Sequence, residues 1–436
     1  MKSKNRSFIL MFLLVLFFPF QLSEAAKPEK NEKISTQEII TIHGKVVDSE
    51  SGKALVFATV AVSESNVGVV TNIDGEFTLK IGNELASNNL EVSYLGYKNV
   101  VIPISSIRQR GQKNTIEMES APIPIQEIVI RPVDPEGIVE NAIYKIARNY
   151  ESVPNLMTAF YRETIRKNRA YVSIGEAAVE IFKAPYANDL RYDAARLYKG
   201  RKSTDVERMD TVLFKLQGGI NNNIDLDILK NTELILTIDA MKYYDYSLTG
   251  VIEIDNKTHY EISFVQKPGV EIPLFVGKLY IELESGAVTE AEFGLNLSDK
   301  EAATSIFVRK RPIGMQVTPE EVTYRTKYRE QNGKWYFSYS RAEVKFKVNW
   351  KRRLFNTYYT TMSEIAITDR TDEEVIKFAG REKLRYSDIF SEKVSDFTDP
   401  EFWGDYNVIE PDQSIETAIR RLSRKLRFSD RDDLTN

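Results

Sequence analysis

Between Gly44 and Gly82 the chain spaces glycines, turn residues and alternating apolar side chains as a small β-sandwich requires. Ile40, Ile42, Gly44 and Val46 fall on one face of a strand, with Thr41, His43 and Lys45 on the other. Asp48 to Gly52 is turn chemistry, after which Val56, Ala58, Val60 and Val62 alternate to give a second strand one buried face. The segment TNIDGEF predicts a hairpin in which Asp74-Gly75 takes positive φ without steric penalty, and Phe77, Leu79 and Ile81 face inwards after it. Leu90, Val92 and Tyr94 lead into LGYKNVVIPI, a further strand pair broken at Gly96. Tyrosine and phenylalanine, at 22 each, lean the rest of the chain towards strands as well.

The order Gly44, Asp48, Gly52, Ala58, Gly68, Thr71, Gly75, Phe77 and the segment SYLGYK resembles the carboxypeptidase-regulatory-like domain. The resemblance covers residues 39–119 and implies a seven-stranded, transthyretin-like sandwich. It also implies an accessory module with no catalysis of its own, common at the N-termini of secreted and outer-membrane bacterial proteins. One departure is Ala54-Leu55, where the family usually places proline before the leucine; its absence should soften that loop without changing the fold. The zinc carboxypeptidases bind metal through histidine and glutamate of a separate domain, which this sequence does not supply.

The first 25 residues have the form of a secretory signal peptide. Lys2, Lys4 and Arg6 make a basic start, Phe8 to Phe20 an apolar stretch, and Ser23 and Ala25 small residues ahead of a cut before Ala26. That apolar run is well short of the ~20 residues a membrane-spanning helix needs. With no cysteine in the chain, disulfides, cysteine catalysis, thiolate metal sites and a lipoprotein anchor are all excluded. Cleavage would take three basic groups and Glu24 from a chain of net charge −4. The mature protein is therefore more acidic still, which argues against nucleic acid as a partner.

Residues 26–38 are polar and form a linker. Residues 120–135 form a proline-punctuated connector whose IQEIVIRP resembles the segment after this module in TonB-dependent receptors. Those receptors need a plug and a barrel of some 22 strands, and about 300 residues are too few for both. The connector is better taken as a last sandwich strand or a linker strand. From Glu136 a helix is expected, with Asp134 as cap, Pro135 in its first turn and Ile138, Ala142, Ile143, Ile146 and Tyr150 on its apolar face, stopped by Pro154. Eight strands come after it: 159–166, 171–183, 243–255, 259–266, 278–284, 289–297, 321–329 and 335–350. Short turns such as Asp255-Asn256-Lys257 and Ser285-Gly286 make this an antiparallel meander. The polar stretch 197–236, containing GGINNNIDLD, reads as a lid or surface excursion with a short helix near Val206–Leu216.

The helix, the meander and the phrase FVGKLYIELESGAVTEAEF resemble the half-barrel of periplasmic carriers that move lipoproteins between membranes. The resemblance spans about 136–370 and implies a curved sheet around an apolar concavity covered by helix. Residues 371–436 are a charged extension closing in SIETAIRRLSRKLRF. There Ser414 can cap a helix with Ile415, Ile419, Leu422 and Leu426 as its stripe, backed by Arg420, Arg421, Arg424, Lys425 and Arg427. The stripe either packs on the protein's own sheet or makes peripheral membrane or partner contact through residues 414–428.

Catalytic constellations are missing. His43 and His259 each fall on the polar side of a strand and begin no metal motif, so both are expected at the surface. There is no Gly-x-Ser-x-Gly elbow and no phosphate loop. Asp225 with Asp227 and Glu320 with Glu321 read as solvated acids, and the acids around Asp74 are too few to hold calcium. No catalytic, cofactor or metal residue is expected, and no cofactor. The sequence thus describes a mostly β protein: a seven-stranded sandwich, then an α+β antiparallel half-barrel-like meander with one N-terminal helix. It is expected to be a non-enzymatic exported envelope protein, periplasmic or outer-membrane associated, with a binding or scaffolding role. The expected partner is an envelope protein or an apolar ligand held in the half-barrel, with no nucleic acid and no transmembrane span in the mature chain. The alternative is a carbohydrate-binding or receptor-associated adaptor, which an exposed row among Trp335, Trp350, Tyr358 and Tyr359 would favour.

Overall fold

The structure is a computed structural model that describes residues 39–107, 113–121, 134–186, 193–204, 219–231, 235–307, 313–351, 355–396, 402–412 and 415–420. The expected signal peptide and linker, the IQEIVI segment, the helix at Val206–Leu216, and Ser414, Leu422 and Leu426 lie outside the described residues. Among the described residues no helix is long and apolar enough to cross a membrane.

The sandwich has seven strands: β1 Ile39–Asp48, β2 Thr59–Val62, β3 Gly68–Val70, β4 Glu76–Gly82, β5 Asn89–Ser93, β6 Val100–Pro103 and β7 Asn114–Met118. One sheet runs β4-β1-β7 and the other β3-β2-β5-β6. Period-two alternation places Ile42, Val46, Phe77, Leu79 and Ile81 of the first against Val60, Val62, Leu90 and Val92 of the second. The TNIDGEF turn corrects one expectation. It does not close a hairpin, because β3 pairs with β2 and β4 with β1, so the turn carries the chain from one sheet to the other. Only Gly75 of the Asp74-Gly75 pair takes positive φ, at 76°. A Cβ there would come within 2.6 Å of the Val46 carbonyl oxygen, so glycine is required twice over. The motif residue Thr71 accepts from Ala58 N at 2.8 Å and donates to Leu55 O at 2.6 Å, tying the turn after β3 to the loop before β2.

After the sandwich come α1 Pro135–Tyr144 and the single turn α2 Ile146–Asn149. Asp134 occupies the cap position without a side-chain cap bond, and Val139 and Ala142 are the buried face. Tyr150 is not part of the helix: it is extended, buried, and donates to Val288 O at 2.5 Å. Its hydroxyl reaches the sheet because the chain leaves helical geometry one residue earlier.

The large sheet contains β8 Asn155–Lys167, β9 Ala170–Lys183, β10 Ala194–Thr204, β11 Tyr244–Ile254, β12 Lys257–Gln266, β13 Phe275–Glu282, β14 Val288–Leu295, β15 Met315–Gln331, β16 Lys334–Trp350 and β17 Thr357–Thr371. Two of these, β10 and β17, are absent from the sequence expectation. The two-residue β18 Ser395–Asp396 is added in parallel on β10. The order β11 to β17 is a sequential meander, but β17 then pairs with β8, so the first three strands extend the far end of the last seven. The sheet is open, with β11 at one edge and β10 with β18 at the other. Three described helices lie where none was expected: α3 Gly219–Ile224, α4 Ile238–Met241 and α5 Lys300–Phe307.

Each face of the sheet is covered differently. On one face Ile220, Ile224, Leu226, Ile228, Leu229, Ile235 and Leu236 pack against Tyr161, Val179, Phe337 and Ile365. GGINNNIDLD is therefore core rather than a lid or surface excursion. Its asparagines read as polar surface, yet Asn223 Nδ2 donates to Ser363 O at 3.2 Å and Ser340 Oγ donates to Asn223 O at 2.6 Å. The opposite face carries the sandwich and the C-terminal extension, with Val70, Phe160, Ala178, Tyr339, Trp403 and Ile409 in one cluster. The extension wraps the β10 edge: Phe390 belongs to the first core, Ser395–Asp396 pair with β10, and Trp403 belongs to the second. That wrapping covers an edge that would otherwise present free backbone groups.

Candidate functional site

Two clusters of buried charge lie on opposite faces of the sheet. Beneath the α3 segment, Lys183 at the end of β9 has Nζ 2.6 Å from Asp193 and 2.5 Å from Asp227. Tyr186 and Tyr328 donate their hydroxyls to the two oxygens of Asp227, each at 2.7 Å. Lys230 donates to Asp193 at 2.6 Å and to the Ala184 carbonyl at 2.8 Å. Burial works against the Lys183 charge, but Asp193 and Asp227 outweigh it and hold its pKa above the ordinary value. Asp193 is held below the carboxylate range by Lys183 and Lys230 against the same burial. Asp227 is thus no solvated acid: it is 1% exposed and fixes the α3 segment to the sheet. Asp225, its sequence partner, is partly exposed and accepts from Tyr386 at 3.0 Å, while Glu321 is exposed.

The second cluster lies where sandwich, sheet and extension meet. Arg162 of β8 is 2% exposed; it donates Nε at 3.0 Å and NH2 at 2.8 Å to Glu176, NH2 to Ile409 O at 2.7 Å and NH1 to Glu364 at 3.5 Å. Glu364 of β17 also accepts from Tyr339 at 2.9 Å and from Arg341 at 3.1 Å, and Arg341 donates to Glu343 at 2.7 Å. Arg201 holds the second oxygen of Glu176 at 3.0 Å. Desolvation opposes the charge on Arg162, but Glu176 and Glu364 prevail and raise its pKa. Burial likewise raises the Tyr339 phenol well above its usual value, so it stays a hydrogen-bond donor.

The sandwich enters this cluster through Phe57. Its backbone sits at φ 62°, a conformation a bulky side chain rarely adopts. Phe57 N donates to Thr71 O at 3.2 Å and Lys327 donates to Phe57 O at 2.9 Å, which hold it there. The ring stacks on Tyr339 at 5.7 Å and lies under the Arg341 guanidinium at 5.0 Å. A cavity of about 150 Å³ opens beside it, lined by residues of the sandwich (Phe57, Asn72, Ile73), the sheet (among them Arg162, Arg166, Arg341, Met362) and the extension (Ile409, Asp412, Ile415).

The residues singled out from sequence fall elsewhere. His43 is half-buried, with Nδ1 2.8 Å from Thr78 Oγ1 across the β1–β4 pair. His259 contradicts the surface expectation and is fully buried. It shares a face with Glu261 and Ser263, but it stands near the start of β12, opposite Glu282, which is itself buried. Desolvation lowers its pKa, and Nδ1 is 2.8 Å from Lys257 O. Trp335 and Tyr359 are core residues, 3% and 1% exposed, so with Trp350 and Tyr358 they do not form an exposed aromatic row. Of the expected C-terminal stripe, Ile415 and Ile419 pack, together with Ala418, on Ile174 and Tyr171 of β9, and Asp412 accepts from Ile415 N at 2.8 Å. Among the described residues no three His, Asp or Glu side chains are grouped to hold a metal ion. Sequence reasoning misses the seam residues. Their signal is a charge set inside a strand, as in AFYRETI, IGEAAVEI and MSEIAI.

Residues 42–130 match the family model described as the CarboxypepD_reg-like domain. This bears out the module that SYLGYK and its glycines imply. No curated protein matches the chain. Among solved structures it is similar to a DUF1329 family protein from Desulfovibrio piger ATCC 29098, at 12% identity over 56% of this chain and 96% of that one, with a TM-score of 0.26. It is similar also to a putative outer membrane lipoprotein-sorting protein domain from Vibrio parahaemolyticus, at 8% identity over 56% and 95%, with a TM-score of 0.25. A putative membrane-associated protein of unknown function from Bacteroides fragilis NCTC 9343 shares 12% identity over 76% of this chain and 98% of that one, with a TM-score of 0.14.

Proposed function

We propose that this protein is an exported, non-enzymatic component of the bacterial envelope. In it the regulatory-like module, the large sheet and the C-terminal extension form one binding or scaffolding body. The observation that carries the reading is the seam: Phe57 of the sandwich, Arg162 and Glu364 of the sheet and Ile409 of the extension meet in one buried, paired cluster beside a cavity. An accessory module used only as a tether would not need a strained phenylalanine wedged under an arginine.

The finer expectation, an apolar cargo in the half-barrel, meets an obstacle. The apolar face it would use is filled by Ile220, Ile224, Leu226 and their neighbours, and Asp227 pins that segment down. A cargo there would have to displace the segment and expose the Lys183 pair. The adaptor alternative keeps the module in its favour but not the aromatic row. Localisation and cargo are tested together by isolating the protein from the periplasm of a Gram-negative host and taking its native mass. The expected result is a chain beginning at Ala26 with no lipid attached. A stoichiometric lipid or lipoprotein would restore the carrier, and retention in the cytoplasm would remove the envelope reading.

A further inference from the structure

We infer that one end of the large sheet is a docking surface for an anionic phospholipid membrane. The inference goes beyond the proposed binding role, since it concerns a surface outside the seam. Three stretches of the chain, 164–175, 302–319 and 344–363, hold eleven basic residues and no acid, although the whole chain carries a net charge of −4. Each stretch is bounded by acids: Glu163 and Glu176, Glu301 and Glu320, Glu343 and Glu364. Strand pairing brings the three to the same end. Met315 is opposite Trp350, Val348 opposite Thr357, Tyr359 opposite Lys167, and Lys167 opposite Ala170. Backbone bonds knit this rim together: Lys351 N donates to Gly314 O at 3.0 Å, and Asn168 N to Tyr358 O at 2.7 Å. Along β16, from Tyr339 under the ring of Phe57 to Trp350 at the rim, is roughly 35 Å of strand.

Positive charge at this end is only partly neutralised. Arg166 pairs with Glu343 and Lys345 with Glu321. Arg169, Lys347 and Lys351 have no ion-pair partner among the described residues, and Arg169 and Lys351 are exposed. Apolar side chains stand out beside them: Ile313 is fully exposed, Phe355 is 83% exposed and Ile306 53%. Their neighbours are packed. Phe307 meets Phe346 edge-on at 5.9 Å, in a cluster with Met315, Val317 and Val348 that leaves Ile306 and Ile313 outside it. Single exposed apolar residues are ordinary on a protein surface. Here they share one acid-free end with unpaired cations, which is the make-up of a surface that lies on anionic lipid. Lys and Arg meet the phosphates, while Phe and Ile enter the boundary with the acyl chains. A nucleic acid would use the cations but not the isoleucines, and the acidity of the chain as a whole opposes it. The C-terminal helix also combines basic and apolar residues, but its Ile415 and Ile419 are covered by β9.

Vesicle flotation tests this on the purified chain beginning at Ala26. The vesicles are phosphatidylethanolamine with about 30% phosphatidylglycerol, and phosphatidylethanolamine with phosphatidylcholine as the neutral control. The expected result is binding to the anionic vesicles, at least tenfold weaker binding to the neutral ones, and a loss between about 50 and 300 mM salt. A basic residue near such a surface contributes about fivefold, so Lys347→Gln combined with Lys351→Gln should weaken binding about tenfold or more. Phe355→Ser should weaken it about fivefold and leave its salt dependence unchanged. In Phe355→Trp, brominated lipid should quench more fluorescence than in the parent. All these positions are partly or fully exposed, so the variants should fold, which circular dichroism checks. No flotation with the anionic vesicles overturns the proposal, and so does flotation that neither the lysine pair nor Phe355→Ser alters. A change of oligomeric state in Phe355→Ser, with lipid binding intact, would assign this end to a second copy of the chain and overturn it too. Failure here leaves the envelope reading standing, and retention in the cytoplasm would remove that reading without moving the vesicle result.

Discussion

Arg162 and Glu163 are adjacent on β8 and point to opposite faces of the same sheet, and their surroundings differ as much as their charges. Arg162 meets two carboxylates and a carbonyl. Glu163 is also buried, yet its hydrogen-bond partner is the Tyr161 hydroxyl at 2.8 Å. Burial is the dominant influence and pushes its pKa up to about 7, against the help of that hydroxyl. The same contrast separates the clusters beyond them. The Lys183–Asp227 group is closed: both oxygens of Asp227 are taken, and the seam cavity lies on the other face. The Arg162–Glu364 group is equally buried but borders the cavity beside Phe57. A buried ion pair is by itself weak evidence of function, and what separates these two is that one of them borders a cavity.

The largest effect expected from breaking this comparison is on the closed side. Lys183→Met keeps the volume of the side chain and removes its charge, leaving Asp227 buried with two hydroxyls and no cation, while Asp193 retains Lys230. The loss should be about 3–5 kcal/mol of unfolding free energy, measured by urea denaturation. A loss under ~1 kcal/mol would mean that the α3 segment is held by its apolar contacts alone and could leave the sheet to admit a cargo.

An intermediate effect, with a definite sign in pH, is expected at Glu163. An unfolded glutamate titrates near 4.3, so between about pH 4.3 and 7 the folded state binds the extra proton. Stability from this group is fully present below the unfolded value and is lost as pH rises through about 7. The total is about 4 kcal/mol across the window as an upper figure. Glu163→Gln keeps an acceptor for Tyr161 and removes the titration. Its unfolding free energy should exceed that of the parent above pH 7 and converge with it near pH 4. Parallel pH profiles for the two proteins would show that Glu163 is charged throughout.

How much of this is legible in the sequence depends on how each region satisfies its polar groups. The sandwich is readable because glycine, turn and period-two rules act locally. Ala54, in place of the family's proline, leaves Leu55 N bonded to Val46 O at 3.0 Å and the fold intact. The strands β12 to β16 are readable for the same reason. By contrast β17, TYYTTMSEIAITDRT, is buried on both faces by threonine, serine and glutamate whose partners lie on distant strands. Neither alternation nor an apolar run betrays it. β10 carries a register shift between Leu197 and Lys199 and a glycine at 200 under Val394, which together erase its period. The α3 segment reads as surface because its asparagines bond to sheet carbonyls that no local pattern announces. The seam combines all three difficulties, since its residues come from five strands, a sandwich turn and the C-terminal extension.

The smallest expected change in stability belongs to the open cluster and is the sharpest test of the contrast. Glu343 is 30% exposed on its side chain and accepts from Arg166 and Arg341 at the edge of the cavity. A partly exposed pair of this kind contributes about 0–1 kcal/mol, so Glu343→Gln should leave the melting temperature almost unchanged. The substitution takes from Arg166 the carboxylate it donates to and makes the cavity net positive. The closed cluster has no analogue of this substitution: its acids are buried against Lys183, and removing either charge leaves that lysine with one carboxylate instead of two. If Glu343→Gln instead destabilised the protein by several kcal/mol, the seam would be a structural lock of the same kind as Lys183–Asp227.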